Sequence, residues 1–229
     1  MAWRVLVVDD EPGIRRVLSG YLTADGFEVT EAATGEDAVA QVRRTAPDLV
    51  LLDVMLPDVD GLEVLRRIRT FSEVYVVLVT ARADETDTLV GLAVGADDYV
   101  TKPFSPREVV ARVKAVLRRG RGSVDTPTRL VFDGLTIDPA AREVTLGDQP
   151  VRLSALEFDL LIALGRAPGR VYSRQQLLER VWGGDFYGDE RVVDVHIRNL
   201  RKQLDDDAGA PAIIGTVRGV GYKFLLEPR

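Results

Sequence analysis

Along the first half of the chain, short apolar runs alternate with stretches whose apolar residues recur at helical spacing. Trp3 to Val8 reads as a strand that runs into Asp9-Asp10-Glu11, and Pro12 suits the first turn of a following helix. Ile14, Val17, Leu18, Tyr21 and Leu22 carry that helix to its stop at Gly26. Phe27 to Ala32 reads as a second strand. Gly35 to Thr45 reads as a helix with Ala38, Val39 and Val42 inward, closed before Pro47. Leu49 to Leu52 are four apolar residues without polar alternation, the pattern of a parallel strand covered on both faces. They lead into Asp53. Leu62 to Arg69 predicts a helix with Leu62, Leu65 and Ile68 inward, and Val74 to Val79 a fourth strand ending at Thr80. Asp84 to Val94 predicts a helix, Tyr99-Val100 a short fifth strand and Pro106 to Arg119 a last helix. Five strands alternating with five helices imply parallel βαβ units, hence an α/β doubly wound five-stranded parallel sheet.

The second half has a different texture. Gly120, Gly122, Ser123 and Pro127 lie among charges and read as a linker over residues 120–128, between a domain at 1–119 and another at 129–229. Leu130 to Phe132, Leu135 to Asp138, Glu143 to Leu146 and Val151 to Leu153 are strand-like pieces with turn residues between them, suggesting a small antiparallel sheet. Ser154 caps a helix, with Glu157 completing a capping box and Leu156, Leu160, Leu161 and Leu164 as its apolar stripe. Ser173 and Gln176 open a second helix, with Leu177, Leu178 and Val181 inside. Glu190 to Leu204 is the third. At about 100° per residue, its core face holds Val193, Ile197, Leu200 and Leu204. The opposite face holds Arg191, Val195, Arg198 and Lys202, with Asn199 and Asp194 beside them. Ile213 to Val217 and Tyr222 to Leu226 form a hairpin turned at Arg218-Gly219-Val220-Gly221. The whole is an α+β winged helix-turn-helix arrangement.

Composition narrows the function. The chain has 229 residues and no cysteine, which excludes disulfides and thiolate metal sites and makes a cytoplasmic protein the simplest expectation. A single histidine, His196, rules out histidine clusters within one chain. No apolar run approaches the ~20 residues of a membrane span, and the first residues lack the features of a signal peptide. The net charge of −6 divides as −5 over residues 1–119 and −1 over the rest, so nucleic-acid binding requires a local basic patch. Residues 190–204 hold four basic and two acidic side chains, and 212–225 hold two basic and none acidic, which supplies one. A helix there would enter the major groove, where Arg and Asn read base edges, and Arg218 would reach the minor groove.

The predicted strand ends carry Asp9-Asp10, Asp53, Thr80 and, just past the fifth, Lys102. Separate strands of one parallel sheet bring such ends together, where sites gather. An Asp-Asp pair after a strand is ordinarily a helix cap, but the joint placement of these residues favours a site. Several neighbouring carboxylates repel one another unless a cation sits among them. Mg²⁺ suits a few carboxylates with waters and phosphate oxygens, Lys102 can pair with a phosphoryl oxygen and Thr80 can donate to another. This is a layout for phosphoryl transfer by positioning and charge neutralisation.

Residues 1–119 resemble the receiver domain of two-component response regulators, through Val7-Val8-Asp9-Asp10-Glu11-Pro12, Leu51-Leu52-Asp53-Val54-Met55-Leu56-Pro57, Thr80-Ala81 and Gly95-Ala96-Asp97-Asp98-Tyr99-Val100-Thr101-Lys102-Pro103-Phe104. The resemblance implies that Asp53 accepts phosphate from a sensor histidine kinase. It implies Mg²⁺ on Asp10, Asp53 and the Met55 carbonyl, with Asp9 helping through water. Thr80 and Tyr99 would form a switch pair, Lys102 would hold the phosphoryl group, and Lys102-Pro103 would be cis. Residues 129–226 resemble the effector domain of the OmpR/PhoB type, through Leu153 to Phe158, Val193 to Lys202 and Thr216 to Tyr222. Here the resemblance adds His196, Arg201 and Thr216 as phosphate contacts, and Val195 could pack on a thymine methyl. Asn199 departs from the arginine of some relatives, so their base preferences do not transfer. Relatives dimerise through a surface matched here by Asp97, Asp98, Glu108, Arg112 and Arg119. Thr88 departs from a basic residue, which implies a weaker dimer. Met55 and Arg82 are neither carboxylate nor amide, so self-dephosphorylation should be slow. The expected partners are a sensor kinase, promoter DNA, a second copy when phosphorylated, and RNA polymerase. The competing readings are an Mg²⁺-dependent aspartyl-phosphate phosphotransferase or phosphatase, and a DNA-binding scaffold indifferent to phosphorylation. Against the first, Asp53-Val54-Met55 lacks a second aspartate as acid/base; against the second stands the intact set Asp10, Asp53, Thr80 and Lys102.

Overall fold

The computed structural model describes residues 2–80, 94–119, 129–183 and 190–229, with the side chains of 118 and 119 outside that description. The chain divides into two compact units, Met1–Gly120 and Arg121–Arg229.

In the first unit, β1 (Arg4–Val8), β2 (Glu28–Ala32), β3 (Leu49–Asp53), β4 (Tyr75–Thr80) and β5 (Asp98–Thr101) form a parallel sheet in the order β2-β1-β3-β4-β5. Every residue of β3 and β4 is buried, as expected for central strands covered on both faces. Helices α1 (Pro12–Ala24) and α4 (Pro106–Arg119) pack together, as do α2 (Gly35–Thr45) and α3 (Gly61–Arg69). The predicted helix at 84–94 falls almost wholly outside the described residues. The chain leaves β1 towards β2 on one side and reaches β3 on the other, so the sheet opens a crevice at the carboxyl ends of β1 and β3.

Three inward-face expectations shift. On α1 only Leu18 and Leu22 are buried, while Val17 and Tyr21 stay exposed. On α2, Val39 is only part-buried beside buried Ala38 and Val42. On α3, Val64 takes the core place expected of Leu62.

In the second unit, β6 (Leu130–Val131), β7 (Leu135–Asp138), β8 (Glu143–Leu146) and β9 (Gln149–Val151) form an antiparallel meander. Helices α5 (Ala155–Gly165), α6 (Arg174–Val181) and α7 (Arg191–Gln203) pack on one another. Nearly all of α5 is buried, which makes it the centre of this core. Both predicted capping boxes form, Ser154 with Glu157 and Ser173 with Gln176. Val193, Ile197, Leu200 and Leu204 are buried, and Arg191, Arg198 and Lys202 are exposed. The hairpin of β11 (Ile214–Val217) and β12 (Gly221–Phe224) gains a third strand that the sequence reading missed, β10 (Val171–Ser173). A Cβ on Gly221 would lie 2.0 Å from the Tyr172 carbonyl oxygen, so only glycine lets β12 approach β10 there.

Candidate functional site

At the carboxyl edge of the parallel sheet, Asp9, Asp10 and Asp53 place one ligand oxygen each within 4.8 Å of the others. Asp9 and Asp53 are buried and Asp10 is exposed. Lys102 reaches in from beyond β5, its Nζ donating to Asp53 Oδ2 at 2.7 Å and to Asp9 Oδ2 at 2.9 Å. Thr80 is buried at the end of β4, and its carbonyl accepts the Lys102 backbone N–H at 2.7 Å. Tyr99 on β5 is half-buried. The Lys102-Pro103 peptide is cis, as the resemblance implied.

One ammonium offsets only one of three carboxylates. Burial pushes the Asp53 carboxyl up, and Asp9 adds to this, while hydrogen bonds from Lys102 and the Met55 amide oppose it. Burial alone would lower Lys102, but its hydrogen bonds to Asp53 and Asp9 prevail and hold it above its ordinary value. The donor atoms are all oxygens and carry surplus negative charge, which fits a hard divalent cation.

Loops hold this cluster. Asp9 Oδ1 accepts the Glu11 N–H at 2.9 Å, and Arg15 donates to the carbonyls of Asp9 and Asp10 at 2.7 and 2.9 Å. The cap of α1 is Glu11, without a side-chain capping bond, so the Asp9-Asp10 pair is not a helix cap. After Asp53, the Met55 N–H returns to Asp53 Oδ1 at 3.1 Å. Gly61 N donates to the Val54 carbonyl at 2.8 Å, and a Cβ at Gly61 would lie 2.2 Å from the Asp53 carbonyl oxygen. Asp58 accepts from the N–H groups of Gly35 and Glu36 at the start of α2, at 2.9 and 3.0 Å.

In the second unit, α7 and the β11–β12 hairpin bring together the basic patch foreseen from the sequence. Arg191, Arg198 and Lys202 are exposed on α7, Val195 and Asn199 are part-buried, and Thr216 and Arg218 are exposed on the hairpin.

Residues 5–114 match the response regulator receiver domain family, and residues 148–224 match the C-terminal family of transcriptional regulatory proteins. The chain is 46% identical over 224 residues to the DNA-binding response regulator MtrA of Mycolicibacterium smegmatis, covering 97% of each chain. The chain belongs to the OmpR/PhoB-type response regulators. It is also 46% identical over 225 residues to the transcriptional regulatory protein AfsQ1 of Streptomyces coelicolor, covering 98% of each. Among solved structures, a RitR mutant has a TM-score of 0.81 at 30% identity, covering 97% of this chain and 99% of that one. DrrB, an OmpR/PhoB homologue of Thermotoga maritima, has a TM-score of 0.53 at 38% identity, covering 98% and 100%.

This response regulator joins a receiver domain to a DNA-binding domain, the architecture of phosphorylation-dependent transcription control, and is not a classical enzyme. Among its described residues, no helix is long and apolar enough to cross a membrane.

Several expected surface residues of the regulator sit elsewhere. Asp97 is fully buried within its own domain, an internal tie that accepts from Arg69 at 2.9 Å and from the Val76 N–H at 2.7 Å. Asp98 is covered as well, paired with Arg112 at 3.3 Å inside its own domain. Arg112 also reaches Glu108 at 3.2 Å. Arg119's side chain, Thr88 and Arg82 lie outside the described residues. His196 has no exposed surface and packs on Trp182 with ring centroids 5.5 Å apart, which removes its side chain from the expected phosphate contacts. Arg201 is nearly buried and donates to the Ile214 carbonyl and to Thr216 Oγ1, so its guanidinium is used internally. The sequence reading passed over Arg15, Asp58, Gly61, Asp206 and the side-chain role of Tyr222. The partners of Asp58 and Tyr222 lie on elements distant in sequence, while those of Arg15, Gly61 and Asp206 include nearby loop backbone, which hydrophobic periodicity does not read.

Proposed function

We propose that Asp53 accepts a phosphoryl group from a partner histidine kinase, and that this promotes dimerisation and sequence-specific binding to promoter DNA. The observation that carries the reading is the Lys102 ammonium bridging Asp53 and Asp9 beside Asp10. Asp10, Asp53 and the Met55 carbonyl would hold Mg²⁺, with Asp9 assisting. When bound, the ion neutralises charge on the transferring phosphoryl oxygens. Asp53 Oδ attacks phosphorus, and the leaving imidazole departs with the bonding electrons. Phosphorylation brings new acceptor oxygens to which Lys102 and Thr80 donate. Thr80 moves towards them, and Tyr99, at home half-exposed or buried, turns inward. The edge strand β5 and α4 then form the dimer face, with Glu108 and Arg112 contributing charge. Exposed pairs of this kind are worth about 0–1 kcal/mol each, so the dimer is modest in strength. On DNA, Arg191, Val195, Arg198, Asn199 and Lys202 face the major groove, Thr216 faces phosphate and Arg218 the minor groove. Recruitment of RNA polymerase and residence in the cytoplasm complete the reading.

Met55 stands two residues past Asp53 and offers nothing to orient an attacking water, so the phosphoryl group is long-lived. Intact-protein mass spectrometry with a small phosphoryl donor tests both points. We expect Mg²⁺-dependent gain of one phosphoryl group, its loss in Asp53→Asn or with chelator, and decay over minutes or longer. A gain that persists in Asp53→Asn, or decay in seconds, contradicts the reading.

A further inference from the structure

Two side chains of the hairpin's second rung are tied to opposite ends of α7. Thr216 and Tyr222 are paired across β11 and β12, and cross-strand partners project from the same face of the sheet. The Tyr222 hydroxyl donates to Asp194 Oδ1 at 2.6 Å, in the first turn of α7. The same oxygen accepts Arg174 Nε at 2.8 Å from the start of α6. Thr216 Oγ1 accepts Arg201 Nη2 at 2.9 Å, in the last turn of α7. The Arg201 guanidinium carbon also lies 5.8 Å from the Tyr222 ring centroid, and that of Arg174 lies 5.5 Å from it. Asp194 and Arg201 are seven residues apart, about 10 Å along a helix. A hinge between helix and hairpin at this rung would have to break one tie or the other.

The connection between α7 and the hairpin is fixed too. The buried Asp206 accepts the N–H groups of Ala212 and Ile213 on Oδ1, at 2.7 and 3.1 Å, and that of Ile214 on Oδ2 at 2.8 Å. Its carboxylate lies 3.8 Å from Arg201 Nε. The loop thus enters β11 already oriented.

The geometry points to Asp194–Tyr222 and Arg201–Thr216 as paired struts that hold the hairpin arginine, Arg218, in fixed register with the exposed face of α7, so that helix and hairpin read DNA as one rigid unit. This rests on the DNA-binding reading and adds four positioning residues to it. Asp194, which lies beside the reading face on a helical wheel, spends one oxygen on the strut and on Arg174, and Arg201 serves the hairpin in place of a phosphate. Arg218 lies two residues beyond Thr216, at the turn where Gly219 adopts φ +74°. Without the struts it would sample many positions relative to α7, and its contact would carry an ordering cost.

The test is a double-mutant cycle on the full chain, phosphorylated, with a duplex that wild type selects from a random-sequence pool and a scrambled duplex of equal composition. Arg218→Ala in wild type is expected to weaken the selected duplex about tenfold. In Tyr222→Phe, which keeps the ring and loses the hydroxyl, the same change is expected to cost about threefold or less. Thr216→Val repeats the cycle at the other strut and serves if Tyr222→Phe fails to fold. A merely structural role predicts equal losses on both duplexes and an additive cycle, and either result overturns the proposal. So does an Arg218→Ala variant that binds as wild type does. If wild type enriches no duplex from the pool, the DNA-binding reading itself fails, an outcome distinct from additivity.

Discussion

Asp194 Oδ1 shows how much a single oxygen can organise. It takes the Tyr222 hydroxyl and the Arg174 guanidinium, joining α7, β12 and α6. Burial pushes the Tyr222 phenol up to about 12, and the neighbouring Asp194 carboxylate adds to the rise. The folded protein therefore holds this proton more tightly than the unfolded chain. The stabilisation is fully present below the ordinary tyrosine value of 10.0 and is lost as pH climbs from there towards about 12. We expect Tyr222→Phe to lose about 1 kcal/mol at neutral pH, measured by urea unfolding. The gap to wild type should narrow above the ordinary tyrosine value, and a gap that stays level across that range contradicts this account. At this scale the sequence was legible where residue type and strand end coincided, as for Asp9, Asp53, Thr80 and Lys102. It was not legible for Asp97, which reads as an edge-strand charge but is covered because Arg69 crosses from α3 to meet it. His196 could have been placed correctly. It stands three residues after Val193 and four before Leu200, both on the core face of α7.

The element that follows Asp53 is pinned more firmly than its loop-like sequence suggests. Gly61 packs the start of α3 against the Asp53–Val54 backbone, and Asp58 binds the start of α2. Gly61→Ala forces a Cβ onto the Asp53 carbonyl, where backbone must give way. We expect a loss of about 1–3 kcal/mol in stability. We also expect at least tenfold slower phosphoryl incorporation, because an ångström of misplacement costs about a hundredfold in such reactions. Thermal melting and the mass assay read the two effects, and a variant with normal incorporation contradicts the assigned role. Among the described residues, strands and helices of ordinary length were legible from periodicity to within a residue or two. Strand β10 was not, because Val171-Tyr172-Ser173 is three residues long and acquires strand identity from pairing with β12. The exposed Val17 and Tyr21 of α1 likewise escaped the apolar pattern, since helical spacing gives a face but not what covers it.

For the whole molecule, the division into two units and the family of each were legible, because each motif is a contiguous run at the end of a strand or on the third helix of the second unit. Of the five charged residues expected on a dimer face, Asp97 is used inside the domain and Asp98 pairs with Arg112, which leaves Glu108 and Arg112 as the described charges that meet solvent. In the proposed mechanism, phosphorylation at Asp53 drives self-association. Sedimentation of the chain with Mg²⁺, with and without beryllofluoride as a phosphoryl mimic, beside Asp53→Asn, tests it most directly. Wild type is expected to be a monomer that becomes a dimer with the mimic, and Asp53→Asn to stay monomeric in both conditions. Wild type that binds the mimic and remains a monomer would contradict it.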